Sequence, residues 1–342
     1  MEKNKQYNLA VVGATGAVGR EMIKMLEIRQ FPVKSIKFFA SSHSVGKKLK
    51  FNNKEIRVEL LDKNSGQDID IALFSAGAKI SKIFAPYFVS KNCYVIDNSS
   101  AWRMDSNVPL IVPEVNSNFL NKKNKLIANP NCSTIQMVVV LKPIYDITKI
   151  KRIIVSTYQA VSGAGQTGIK ELSEQINAWS NGKKLVNDKF QYQIAFNLIP
   201  HIDVFTDNGY TKEEMKMVNE TKKILNDDNI QISATCVRVP VFRAHSESVW
   251  IETEKNLDLK QIKNVLSKSV GVCLIDNPKL NKYPMPIIAE NKQNTFVGRL
   301  RKDISINKNN ALTFWIVSDN LLKGAALNAV QIAEKLVSMN LV

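Results

Sequence analysis

At 342 residues, the chain is longer than one hydrophobic core usually supports, so two domains are expected. Hydrophobic residues make up 44 % and charged residues 23 %, with no repeat or low-complexity tract, which excludes disordered, collagen-like and coiled-coil classes. The net charge of +16 comes from lysines spread along the whole chain, not from a basic tract with interleaved aromatics, so no nucleic-acid partner is expected; a lysine-rich source proteome, or steering of a polyanionic cofactor and substrate, explains it as well.

The opening residues MEKNKQYN are polar, and the first apolar run, Leu9 to Val12, is too short for a signal-peptide core or a membrane span. A cytoplasmic protein with no membrane partner is expected. Leu9 to Val12 reads as a strand, and Gly13, Gly16 and Gly19 in VVGATGAVG lead from it into a helix over Ala17 to Ile28, whose Val18, Met22, Met25 and Leu26 recur at helical spacing. Glycine lets such a turn tighten and brings backbone N–H groups to a pyrophosphate at the positive end of the helix. The spacing is GxxGxxG, a variant of the dinucleotide fingerprint, and Gly13, Thr15, Gly16, Ala17, Val18 and Gly19 are the candidate cofactor contacts. A strand-to-helix turn without a ligand is the alternative.

After the next strand, Ile36 to Phe39, there is no Asp or Glu of the kind that binds ribose hydroxyls in NAD-specific sites. Ser41, Ser42, His43 and Ser44, followed by Gly46, Lys47 and Lys48, offer hydroxyls and cations to a 2′-phosphate instead, which points to NADP/NADPH. For any one of these residues a solvated polar loop is an equal reading. Strands at Ile71 to Phe74, Tyr94 to Ile96 and Leu126 to Ala128, with helical spacing over Ile80 to Val89, continue the alternation. An α/β, Rossmann-like doubly wound parallel sheet is therefore expected over residues 1–130. Ser75, Ala76 and Gly77 end its third strand, at the edge where such sheets bind ligands.

Cys132 lies in IANPNCSTIQMVVVL, where a strand ends in Asn129-Pro130-Asn131 and an apolar helix begins at about Ser133. Unpaired N–H groups and the helix dipole favour a thiolate at that position, and the same N–H groups can hold an oxyanion. A buried, inert thiol is the ordinary fate of a lone cysteine, but this strand-turn-helix placement argues for a nucleophile. The other cysteines, Cys93, Cys236 and Cys273, are far apart with no CxxC pair, so neither a disulfide framework nor a metal site is expected.

From Lys151 the apolar runs lengthen, at Arg152 to Ala160, Ile230 to Val239, Ser248 to Thr253, Thr295 to Leu300 and Ala311 to Val317, with helices such as Gly168 to Trp179 between them. This is the pattern of an α+β catalytic and dimerisation domain with a mixed, largely antiparallel sheet, expected over residues 131–320. Leu321 to Leu336 reads as an amphipathic helix, and residues 321–342 are expected to complete the first domain.

The run of motifs VVGATGAVG, SSAWRMD, VPEVN, NPNCST, YQAVSGAGQTG, EEMK, RVPVFRAHS, VGRLRKD and DNLLKGAALNAVQIAE, in that order over nearly the whole chain, resembles the aspartate-semialdehyde dehydrogenases. The resemblance implies NADPH-dependent reductive dephosphorylation of aspartyl phosphate to aspartate semialdehyde, on the way to lysine, diaminopimelate, threonine, methionine and isoleucine, in a homodimer built through the second domain. It also implies roles. Cys132 forms the acyl-enzyme, with Asn131 on its oxyanion side, Gln159 orienting the substrate and His245 acting as general acid and base. Arg238 pairs with the substrate carboxylate, Glu213 takes its amino group, and Arg103 and Lys216 bind phosphate, while Ser162, Gly163 and Asn320 border the nicotinamide.

Taken singly, these residues have plainer readings: a hydrogen-bonded structural histidine, an interior amide at Gln159, a solvated Arg103, a surface pair at i,i+3 for Glu213 and Lys216, and a turn at Ser162 to Gly165. His43 departs from the family, many of whose members carry an arginine there. Another acyl-phosphate reductase, such as N-acetyl-glutamyl-phosphate reductase, or a non-enzymatic nucleotide-binding protein, is the competing reading. We expect kcat/KM with NADPH to exceed that with NADH in steady-state assays; equal or higher efficiency with NADH would reverse the cofactor preference.

Overall fold

The computed structural model describes residues 5–342 and divides into two compact units, one running to residue 131 and resuming at 325–342, the other spanning residues 132–324. The first unit is built from β1 (Tyr7–Val12), α1 (Ala17–Ile28), β2 (Val33–Ala40), β3 (Lys48–Phe51), β4 (Lys54–Leu60), β5 (Ile71–Phe74), α2 (Ala78–Ser90), β6 (Tyr94–Asp97), the short α3 (Pro113–Asn116) and β7 (Leu126–Ala128). Its sheet runs β3-β4-β2-β1-β5-β6-β7, parallel throughout apart from the β3–β4 hairpin. Strands β5 and β6 are buried at every position, as expected of parallel strands covered on both faces.

Strands β3 and β4 escaped the sequence reading. KLKF and KEIRVEL are rich in exposed charge, which suits an edge that must not pair with another chain and hides the apolar alternation. They turn through Asn52 and Asn53, both left-handed (φ 47° and 62°), the conformation that tight hairpins require and asparagine tolerates.

The Gly-rich turn is shaped by contact. Gly13 and Ala14 both donate their N–H to the Phe39 carbonyl (2.8 and 3.2 Å), so the exit of β1 is pinned to the end of β2. Gly13 has φ +84°, and a Cβ there would stand 2.5 Å from the Ser75 carbonyl oxygen. A Cβ on Gly19 would stand 2.2 Å from the Gly13 oxygen, so the first turn of α1 lies directly on the loop it follows.

The second unit comprises α4 (Cys132–Ile147), β8 (Ile150–Gln159), α5 (Gln166–Ser180), α6 (Lys212–Leu225), β9 (Gln231–Arg238), β10 (His245–Thr253), α7 (Leu259–Lys268), β11 (Val272–Leu274), the short α8 (Pro286–Ala289), β12 (Thr295–Lys302) and β13 (Ala311–Ser318). Its mixed sheet is ordered β11-β12-β13-β10-β8-β9, with β10 antiparallel to both neighbours and β8–β9 parallel. Helix α4 is buried at every position from Ser133 to Leu141, which makes it a core helix instead of a one-faced surface helix. The more polar α6 is fixed by a capping box: Thr211 Oγ1 accepts from the Glu214 N–H, and the Glu214 carboxylate accepts from the Thr211 N–H at 2.7 Å.

Beyond β13 the chain makes a π-helical turn, Leu322–Ala326, and then α9 (Leu327–Ser338). The single helix expected from Leu321 to Leu336 is thus interrupted at its start. Asp319 Oδ1 accepts from the N–H groups of both Leu321 and Leu322 at 3.0 Å, which sets a different entry to the helix, and Gly324, Ala325 and Ala326 are small enough for the wider turn. Within the first unit, α9 is tied to the end of α1 by a two-pronged Arg29–Glu334 pair (2.5 and 2.7 Å). No helix among the described residues is long and apolar enough to cross a membrane. We expect Gly19→Ala to destabilise the cofactor-free protein by about 1–3 kcal/mol through overpacking. Thermal melting checks this, and an unchanged midpoint would show that the turn can relax.

Candidate active site

Strands β8 and β9 end side by side, with Gln159 paired to Arg238, and β10 begins at His245. Ala160 links the three. Its carbonyl accepts from Arg238 Nη1 at 2.7 Å, and its N–H donates to His245 Nδ1 at 3.0 Å. That bond places the imidazole proton on Nε2, which is buried without a hydrogen-bond partner. Burial, reinforced by the Arg238 charge, lowers the His245 pKa to about 3, so the ring is neutral at physiological pH. A Cβ on Gly163 would lie 2.9 Å from Arg238 Nη1 and 3.3 Å from His245 Nε2, so the missing side chain is what leaves both groups reachable.

Arg238 is itself buried. Burial lowers its pKa, while Glu213 and Cys132 are within electrostatic range and favour its charge. Cys132, the half-buried first residue of α4, is backed by Gly324, where a Cβ would stand 2.8 Å from the cysteine Cβ. Gln159 has both ends of its amide engaged: Oε1 accepts from Thr157 Oγ1 at 3.0 Å, and Nε2 donates to Glu213 Oε1 at 3.1 Å. The other Glu213 oxygen meets Lys216 Nζ at 2.9 Å, and Lys216 also meets Asp203 Oδ2 at 2.8 Å. Burial opposes the Lys216 charge, but the two carboxylates hold its pKa above the usual value.

Asn320 braces the segments next to Gly163 and His245. Its side chain exchanges hydrogen bonds with Ser162 Oγ and accepts from the N–H of Ala244, the left-handed residue (φ 72°) just before His245. Its neighbour Asp319 is fully buried and accepts from Arg243 Nε at 2.6 Å and from the Asn291 N–H at 2.7 Å.

The first unit holds the other candidates. Thr15 Oγ1 donates to Ser44 Oγ at 3.2 Å, so the Gly-rich turn and the serine segment meet. Ser41 and Ser42 are exposed near them, and Ser75, Ala76 and Gly77 follow β5, with open space where a Gly77 Cβ would be. Gly16, Ala17 and Val18 form the entry to α1, whose leading N–H groups have no helical partners. A left-handed glycine, absent side chains, a helix N-terminus and two adjacent hydroxyls fit a dinucleotide. Arg103, alone a solvated charge by sequence, is buried and donates to the carbonyls of Asn129 (3.0 Å) and Asn98 (2.9 Å). Asn129 is held in turn by Asn98 (2.6 Å) and Asn328 (2.7 Å), so the chain entering Asn131 is rigidly framed, and Asn131 is buried.

Residues 8–123 match a family model described as semialdehyde dehydrogenase, NAD binding domain, and residues 141–323 one described as semialdehyde dehydrogenase, dimerisation domain. An aspartate-semialdehyde dehydrogenase of Aquifex aeolicus is 57 % identical over 98 % of this chain and 99 % of its own length, and one of Bacillus subtilis is 51 % identical over the same shares. The chain belongs to the aspartate-semialdehyde dehydrogenase family. The fold agrees: the crystal structure of aspartate semialdehyde dehydrogenase II from Vibrio cholerae complexed with ASA has a TM-score of 0.93 at 48 % identity, over 98 % of this chain and 99 % of that one.

Membership in this family of oxidoreductases leaves several residues that sequence reasoning passed over. Asp203 and Asp319 act through partners distant in sequence. Arg57, on β4, brings its guanidinium within 3.5 Å of a Cβ built on Gly46, and it was missed along with its strand. Glu247 lies two residues after His245 on the same face of β10, fully buried, and neither carboxyl oxygen has a hydrogen-bond partner. The Gln136 amide, one turn beyond Cys132 on α4, stands beside it outside hydrogen-bond geometry. Burial pushes the Glu247 pKa well above the usual carboxylate value, only partly opposed by Gln136, which favours the protonated form in the fold. In the unfolded chain it ionises near about 4.3, so the folded state retains an extra proton and loses stability as pH rises above that value. Glu247→Gln removes this titration. We expect its stability gain over the parent to be small near about pH 4 and to grow by up to about 1.4 kcal/mol per pH unit above about pH 5. Urea denaturation across pH reads the difference, and parallel curves would mean that Glu247 ionises in the fold.

Proposed function

We propose that this protein uses NADPH to convert β-aspartyl phosphate to aspartate semialdehyde and inorganic phosphate through a thioester on Cys132, as a step of amino-acid biosynthesis. The observation that carries the reading is the convergence of Arg238 and His245 over Gly163, with Cys132 in electrostatic range of Arg238. The Cys132 sulfur attacks the acyl carbon, and the C–O bond to phosphate breaks with its electron pair leaving on phosphate. When bound, the cofactor supplies the hydride that turns the thioester into a thiohemiacetal. His245, with its proton on Nε2, hydrogen-bonds the oxygen as it becomes negative, and collapse of that oxyanion to the aldehyde carbonyl breaks the C–S bond and returns the thiolate.

Arg238 grips the substrate carboxylate and Glu213 its free ammonium, while Gln159 orients the substrate and Asn131 lies on the oxyanion side. Arg103 and Lys216 receive the phosphate. Ser162, Gly163 and Asn320 border the nicotinamide, and Gly13, Thr15, Gly16, Ala17, Val18, Gly19, Ser75, Ala76 and Gly77 carry the rest of the dinucleotide. The hydroxyls of Ser41, Ser42 and Ser44, with Arg57 nearby, suit a 2′-phosphate that His43 alone would hold weakly. A carboxylate at Glu213, held by Gln159 and the Lys216 cation, can also accept from a free ammonium, whereas an N-acylated substrate would bring no positive charge to it. The ASA bound by the Vibrio cholerae relative agrees with that choice. We place the enzyme in the cytoplasm as a homodimer formed through residues 141–323, the segment matched by the dimerisation-domain model.

Intact-mass spectrometry after mixing with aspartate semialdehyde and NADP, without phosphate, should show an aspartyl adduct on Cys132. Cys132→Ala should show none and lose all phosphate-dependent activity while remaining folded. Turnover by that variant, or an unmodified Cys132 during turnover, would refute the covalent route.

A further inference from the structure

Lys216 is shared between two carboxylates of different character. Glu213 faces inward, with 8 % of its side chain exposed, and is committed on its far side to Gln159. Asp203 faces outward, with 34 % exposed, and apart from Lys216 its side chain accepts, among the described residues, only from the neighbouring Val204 N–H at 2.9 Å.

We propose that Asp203 is a positioning residue of the anion subsite, holding the Lys216 ammonium at the rim and competing with the incoming phosphate for it. This rests on the assignment of Lys216 to phosphate. Three observations carry it. The Asp203 carboxylate is 2.8 Å from Lys216 Nζ, as close as the Glu213 contact. Its backbone is left-handed (φ 69°), a conformation few non-glycine residues adopt, and its own side chain closes a bond to the next N–H, so the carboxylate is preset instead of sampling the surface. The loop that carries it is fastened to the start of α6, where the Lys212 N–H donates to the Val204 carbonyl at 2.9 Å, so Asp203 and Lys216 are held in one frame. In addition, burial is the strongest single influence against a charge on Asp203, yet the Lys216 and Val204 hydrogen bonds and the Lys216 charge together outweigh it and hold its pKa below the usual carboxylate value.

The consequence is a subsite with two negative groups on one positive group. Glu213 cannot yield without releasing Gln159, so the anion takes the place of Asp203. An oxyanion must therefore outcompete a preset carboxylate, which favours the doubly charged phosphate over singly charged anions of similar size.

Asp203→Asn tests this, because asparagine accepts the left-handed backbone and keeps the side-chain bond to Val204 while removing the charge. In the aldehyde-oxidising direction at low ionic strength, we expect the KM for inorganic phosphate to fall about two- to fivefold, the span of a partly exposed ion pair. The KM for aspartate semialdehyde should not fall, and Asp203→Glu should keep a phosphate KM near that of the parent. A merely structural role would raise or leave unchanged the phosphate KM, and either result overturns the proposal. A parent enzyme that turns over without needing phosphate would overturn the assignment of Lys216 itself, whereas a phosphate-requiring parent with an indifferent Asp203→Asn would overturn only the role of Asp203.

Discussion

One residue's backbone organises the chemistry of the second unit: the Ala160 carbonyl takes the Arg238 guanidinium, and the Ala160 N–H fixes the ring nitrogen of His245. Both side chains are buried, and both would be costlier without these bonds, since an unpaired buried charge or acceptor loses its hydration for nothing. The arrangement follows from the sheet. Because β8 and β9 are parallel and in register at Gln159 and Arg238, and β10 starts where β9's return loop ends, three chain segments deliver their functional groups at one edge. The same bond decides the tautomer, and with it which nitrogen is left as the donor.

Charge in this site is layered. Arg238 and Glu213 stand deep, Lys216 is intermediate, and Asp203 is at the rim, each linked to the next by a bond or by electrostatic range. Each inner group is thereby balanced before substrate arrives. Glu247 follows the other route to tolerating burial: with no counter-charge at hand, it keeps its proton. Two strategies for interior carboxyls thus lie on neighbouring strands and helices of one unit.

Much of the architecture was readable because its signals are local. The apolar run of β1, the spaced glycines and the apolar start of α4 each announce an element within a dozen residues, and the motifs around Cys132, Arg238 and His245 indicated the family. What escaped depends on distance. Strands β3 and β4 carry edge charges in place of alternation, and the π turn at Leu322 is imposed by Asp319, whose hydrogen bonds also reach Arg243 and Asn291. Asp203 looks like any loop aspartate until the fold brings Lys216 to it. For Glu247, alternation along β10 hinted at an interior position, but a carboxyl does not announce burial by its identity.

Helix α4 begins at Cys132 and continues through interior positions on all sides, with Gly324 pressed against the cysteine Cβ. The sulfur is therefore mounted at the head of a buried core helix, with side-chain rotation as its main freedom. In the proposed reaction, electrophiles must then be brought to the thiol along its line of attack, so selectivity among aldehydes and acyl donors is a matter of how the surrounding groups aim the carbonyl, and a covalent inhibitor has to be shaped around a sulfur that moves little.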